Sequence, residues 1–171
     1  MIFFSGFGFQ NEAPLFEDFL PQGEGRFTVA GFSRGAIEAF EYAASSPTRI
    51  ERLILLSPAF FQTQSDKFRR LQLMGFNKSP QSYFAQFYAA CGSKRDLSPF
   101  QTSGNAADLE ALLNYRWEAA ALQALIDRGT RVTVYLGGKD AIIDANGAAA
   151  FFSAVTEVYF LKNATHLLEV L

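Results

Sequence analysis

The sequence predicts a single α/β domain, residues 1–171, with about five mostly parallel strands, flanking helices and a helical cap inserted at about 60–105. Three observations predict it. Short apolar runs alternate with segments of helical period; most of these runs stop at glycine or proline; and the rhythm breaks once, between Phe60 and Asn105. Alternation of this kind implies a parallel sheet, because parallel neighbours need a crossover and a helix is the usual one. A chain of 171 residues is long enough for one core and too short for two ordinary domains.

The strand-like runs are Ile2 to Ser5, closed by glycines; Arg26 to Ala30, ending at Gly31; Arg52 to Ser57, ending at Pro58; Arg131 to Leu136, ending at Gly137-Gly138; and Glu157 to Leu161. Each reads as a buried strand. Helical period occupies Ala13 to Leu20, Arg34 to Ser45, Ala107 to Asp127 and Asn146 to Val155. The stretch from Phe60 to Asn105, with Pro80, Pro99 and scattered aromatics, is too long for a plain connection and is expected to lie over the site. Its Lys67, Arg69, Arg70, Lys78, Lys94 and Arg95 face only Asp66 and Asp96. An acidic partner would fit this basic segment, and so would simple solvation.

Composition narrows the function. Hydrophobic residues make up 49% and charged residues 19%, which suits a folded domain. The net charge of −2 gives no overall attraction to nucleic acid or acidic membranes. Cys91 is the only cysteine, so no internal disulfide and no cysteine-based zinc site is expected. Met1-Ile2-Phe3-Phe4 has neither the basic start nor the length of a signal peptide, and no apolar run approaches the roughly 20 residues of a membrane span; the expected location is the cytoplasm. Most of the 19 phenylalanines should serve core packing, with some left to line an apolar pocket.

The sharpest local signal is Gly31-Phe32-Ser33-Arg34-Gly35, directly after a strand and before a helical run. That is the setting of a nucleophile elbow, in which a tight turn exposes the serine hydroxyl and the following helix offers free N–H groups to an oxyanion. A serine hydroxyl needs a base, and His166, past the last strand, is the only histidine. Asp140, in Gly137-Gly138-Lys139-Asp140, follows the fourth strand and lies between serine and histidine in the chain, as the orienting acid should. Asp144 is the alternative acid and also a candidate helix cap. The oxyanion hole would combine the N–H of Arg34 with that of Phe7 in the loop Ser5-Gly6-Phe7-Gly8. A dinucleotide loop is rejected, since the third glycine and the acidic residue after a second strand are missing.

With Ser-Gly-Phe-Gly, Gly-Phe-Ser-Arg-Gly, Gly-Gly-Lys-Asp and Ala-Thr-His in this order, the chain resembles the α/β-hydrolase superfamily over its whole length. Within it, the opening Ser-Gly-Phe-Gly-Phe-Gln-Asn-Glu is similar to the His-Gly-Trp-Gly loop of bacterial pimeloyl-acyl-carrier-protein methyl ester esterases, among which the Helicobacter type is of similar size. The resemblance implies hydrolysis of that methyl ester, for biotin biosynthesis, without metal or organic cofactor. It also implies that Lys67, Arg69 and Arg70 meet an acidic carrier protein. A general carboxylesterase or thioesterase, and a non-catalytic binding protein of the same fold, are the competing readings.

The chain departs from larger members of the superfamily in two ways. Only about two dozen residues separate Phe7 from Ser33, where those members fit another strand and helix, and the strands that usually precede the oxyanion loop are absent. A reduced α/β-hydrolase fold is therefore expected. Right-handed crossovers between adjacent strands put the helices on one face, so the other face should be thinly covered and buried by self-association.

Overall fold

A computed structural model describes residues 1–21 and 27–170. Five strands, β1 (Ile2–Phe4), β2 (Thr28–Phe32), β3 (Arg52–Leu56), β4 (Arg131–Gly137) and β5 (Glu157–Leu161), form one sheet in the order β1-β2-β3-β4-β5. Every neighbouring pair is parallel. The second strand begins at Thr28; Arg26, where the sequence places its start, lies outside the described residues. Among the described residues, no helix is long and apolar enough to cross a membrane.

Helix α1 (Arg34–Ser45) coincides with its expected span, and α6 (Ala145–Phe152) is shorter than expected. Two other helical segments differ from expectation. The run from Ala13 to Leu20 gives only a 3-10 turn, Ala13–Phe16, which sinks Phe16 onto Phe32 at a ring separation of 4.7 Å. The run from Ala107 to Asp127 divides into α4 (Ala106–Asn114) and α5 (Ala119–Asp127). Trp117 explains the division. Its indole N–H donates to the Ala59 carbonyl at 2.9 Å and its backbone N–H donates to Gln62 at 2.7 Å, so a tertiary anchor overrides helical propensity.

The segment from Phe60 to Asn105 supplies α2 (Asp66–Lys78) and α3 (Pro80–Cys91). Ser65 caps α2 by accepting the Phe68 N–H, and Ser79 caps α3 by accepting the Ser82 N–H. Pro80, at the first position of α3, cannot continue α2 because it has no N–H to give. The result is a helical hairpin.

One sheet face packs Val29, Leu53, Leu55, Val132 and Val134 against α1, α5 and α6. The other packs Ala30, Phe32, Ile54 and Leu56 against Leu15, Phe16, Leu97, Leu167 and Leu168. The expected thin cover on that second face is therefore local. Over β2 and β3 it is filled, whereas over β4 and β5, among the described residues, Phe19 packs on Tyr135 at 5.1 Å, Tyr135 stacks on Tyr159 at 5.1 Å and Tyr159 is 45% exposed. The alternation Arg131, Thr133 against Val132, Val134 had the reason in it: β4 buries one face fully and leaves the other partly wet.

Candidate active site

The turn from β2 into α1 holds Ser33 at φ 54°, ψ −114°, a backbone conformation in which a non-glycine residue is strained. Its glycines leave no alternative. A Cβ on Gly31 would lie 2.0 Å from the Gly35 carbonyl oxygen, and one on Gly35 would lie 2.0 Å from the Phe4 carbonyl oxygen. Two backbone bonds lock the turn: the Ser33 N–H donates to Leu56 and the Ala59 N–H donates to the Ser33 carbonyl.

His166 and Asp140 arrive from the loops after β5 and β4. His166 Nε2 lies 3.1 Å from Ser33 Oγ, and His166 Nδ1 lies 2.6 Å from Asp140 Oδ2. The histidine is fully buried, and Phe32 packs beside it at a ring separation of 5.0 Å. Asp140 Oδ1 accepts the N–H groups of Ile142 and Ile143 at 2.7 and 3.1 Å, which holds the carboxyl group in one orientation. A carboxylate so fixed selects the tautomer with the proton on Nδ1 and leaves Nε2 to accept the serine proton. Asp144 is placed elsewhere. It accepts the Gly147 N–H at the start of α6 and the Thr63 hydroxyl.

The loop Ser5-Gly6-Phe7-Gly8, where the sequence places the oxyanion hole, is tied down from both sides. The Gly6 N–H donates to buried Glu12 at 2.7 Å, the Phe9 N–H donates to the Gly6 carbonyl, and the Gly8 carbonyl accepts the Thr102 N–H and the Tyr88 hydroxyl. Phe7 and Ser33 line the same cavity of about 230 Å³, walled by Phe61, Phe68, Phe87 and Leu113. Most of its wall comes from α2, α3 and α4. The one cysteine, Cys91, is fully buried, and burial pushes its thiol up from the ordinary value. It is no rival nucleophile.

Of the three cap cations, Lys67 and Arg70 are exposed. Arg69 is turned inward. Its guanidinium donates to the carbonyls of Leu113 and Phe61 and pairs with Asp66, so its charge is spent joining α2 to α4. Glu12 ends the opening Ser-Gly-Phe-Gly-Phe-Gln-Asn-Glu, where the sequence assigns it no role of its own; its complete burial is what marks it.

No family model and no curated protein matches the sequence, so likeness is found in structure alone. Naproxen esterase from Bacillus subtilis aligns with a TM-score of 0.57 at 16% identity, over 82% of this chain and 53% of that one. Bromoperoxidase from Bacillus anthracis aligns at 0.63 and 15% identity, over 82% and 60%. The chain thus spans little more than half the length of these two proteins. BioG from Haemophilus influenzae aligns at 0.60 and 12% identity, over 97% of this chain and 87% of that one. Five parallel strands, an elbow after the second and an agreement of fold with these hydrolase-type structures lead to one conclusion: the chain has the α/β-hydrolase fold, in a reduced form.

Proposed function

We propose that the chain is a serine esterase that cleaves the methyl ester of pimeloyl-acyl-carrier protein. The observation that carries the reading is the hydrogen-bonded line from Ser33 through His166 to Asp140, set beneath a mostly apolar cavity. Ser33 Oγ attacks the ester carbonyl carbon while its proton passes to His166 Nε2. The N–H groups of Phe7 and Arg34 receive the oxyanion, and Asp140 stabilises the imidazolium. Collapse of the tetrahedral intermediate expels methanol, which takes the proton from His166. Water, deprotonated by the same histidine, then releases the acid from Ser33 and restores the hydroxyl.

The apolar wall suits a hydrocarbon chain, and the resemblance of the opening loop favours the pimeloyl ester over esters at large. Lys67 and Arg70, exposed on the helix that forms part of the cavity wall, supply positive charge where an acidic carrier would dock. Arg69 supports this only indirectly, by fixing α2. A general carboxylesterase acting on small free esters is the second reading, favoured by a cavity wall that among the described residues is apolar or uncharged.

The test compares pimeloyl-acyl-carrier-protein methyl ester with a short nitrophenyl ester, using wild type, Ser33→Ala and Lys67→Ala/Arg70→Ala. The proposal expects Ser33→Ala to lose both activities by at least about 10⁴-fold, and the double variant to lose only the carrier-linked one, by about tenfold at low salt. Cleavage of the short ester alone by wild type would leave the second reading standing. Full activity in Ser33→Ala would remove the mechanism.

A further inference from the structure

One buried titratable group takes no part in the chemistry above. Glu12 is fully buried, and it sits behind the oxyanion loop rather than in the cavity. Its Oε1 accepts the Gly6 N–H at 2.7 Å. Its backbone is fixed as well, for the Glu12 carbonyl accepts the Leu15 N–H at 2.9 Å, and Leu15 and Phe16 are part of the core on the second sheet face. Glu12 therefore joins the loop to a rigid base.

The geometry of a peptide unit gives this bond its consequence. In a trans peptide the N–H points opposite to the preceding carbonyl, so the direction of the Phe7 N–H is set by the Gly6 carbonyl. That carbonyl accepts the Phe9 N–H at 3.0 Å, while the other side of Gly6 is held by Glu12. Gly6 cannot be stiffened by a side chain of its own, because a Cβ there would lie 2.7 Å from the Phe32 ring. A glycine with two flexible dihedrals needs external restraint to keep one orientation.

We propose that Glu12 is a positioning residue for the oxyanion hole, its buried carboxyl group holding the Gly6 N–H so that the Phe7 N–H stays aimed at the oxyanion formed at Ser33. The inference rests on the serine-esterase reading above. The role requires an acceptor and no charge. Its second oxygen, Oε2, has no hydrogen-bond partner among the described residues, a costly arrangement for a carboxylate and a cheaper one for a protonated acid. Burial raises its pKa against the pull of the Gly6 N–H, its own backbone N–H and the Ser5 hydroxyl, in the same direction. An amide of the same shape should therefore serve in its place, and a side chain without an acceptor should not.

The experiment measures kcat and KM on a short nitrophenyl ester for wild type, Glu12→Gln, Glu12→Asp and Glu12→Ala. It also compares inhibition by a trifluoromethyl ketone, which forms a tetrahedral adduct with a serine, with inhibition by the matching methyl ketone. Loss of one oxyanion donor costs about 10²–10³ in kcat; a misaimed donor should cost about 10–100-fold in Glu12→Ala with KM within about twofold. The trifluoromethyl ketone should weaken in proportion and the methyl ketone should not. Glu12→Gln should retain kcat within about threefold. Glu12→Asp, which keeps the charge type and folds if Glu12→Ala does not, should fall with Glu12→Ala because its acceptor is withdrawn. Unchanged kcat in Glu12→Asp or Glu12→Ala, or loss in Glu12→Gln equal to that in Glu12→Asp, would overturn the proposal. So would equal weakening of both ketones. An inactive wild type would instead defeat the esterase reading, so the two failures are distinguishable.

Discussion

The elbow at Ser33 and the helical hairpin Asp66–Cys91 are built on different physical terms. The elbow is fixed by backbone contacts: Gly31 meets the Gly35 carbonyl oxygen and Gly35 meets the Phe4 carbonyl oxygen of the neighbouring strand so closely that no side chain fits, and Ser33 is held at a positive φ. The hairpin is fixed by side-chain bonds that cross long stretches of chain, such as Arg69 to Leu113 and Tyr88 to Gly8. The groups proposed for chemistry thus stand on a turn set by backbone contacts, and the wall proposed to face the substrate on elements set by side-chain bonds. Sites assembled on rigid elements keep reacting groups in geometry, while less constrained parts tolerate variation in what is bound.

Substitutions should separate the two. The largest effect belongs to Asp140→Asn, which keeps the shape but offers Nδ1 an amide; kcat should fall about 10⁴-fold, measured on a nitrophenyl ester. Asp144→Ala should leave kcat intact and lose a helix cap and the exposed Thr63 bond, about 1–2 kcal/mol in urea unfolding. Similar losses of kcat in both would erase the distinction between the two carboxylates. Next comes Gly35→Ala, whose new methyl would meet the Phe4 carbonyl. It should destabilise the fold by about 3 kcal/mol, seen as a lowered Tm, and an unchanged Tm would show that the elbow is not sterically fixed.

Arg69→Ala should cost less, about 1–3 kcal/mol, because it leaves buried carbonyls of Phe61 and Leu113 without their donor. Its signature is a raised KM with kcat retained, the reverse of an elbow variant. A fall in kcat with KM unchanged would mean that the hairpin shares in the chemistry. The smallest effect concerns the half of the second sheet face where, among the described residues, Tyr159 stays exposed. We propose that a second copy covers Tyr135 and Tyr159, so that light scattering at micromolar concentration should report a dimer and Tyr159→Lys a monomer; a monomeric wild type would end that proposal.

Much of the fold was legible because strands and their turns are written locally. Leu53-Ile54-Leu55-Leu56 is apolar throughout, as a central parallel strand must be, and α1 begins and ends where its period does. Legibility failed where a distant partner decided. Nothing near Arg116 or Glu118 announces a break between α4 and α5, since it is made by the Trp117 bonds to Ala59 and Gln62. Arg69 reads like its neighbours Lys67 and Arg70 until α2 is turned and one of the three faces inward.

By itself the sequence determined the parallel sheet, the elbow at Ser33 and the chain order of serine, acid and histidine, because each follows from periodicity or from what glycine alone permits. The sequence favoured Asp140 over Asp144, and tertiary structure set the contacts: Asp140 against a histidine 26 residues away, and that histidine against a serine 133 residues away. Tertiary structure alone brought Glu12 behind the oxyanion loop. The reason is one of range: dihedral preference and hydrophobic period act between near neighbours, whereas the partner of a buried polar group is chosen by how whole elements pack.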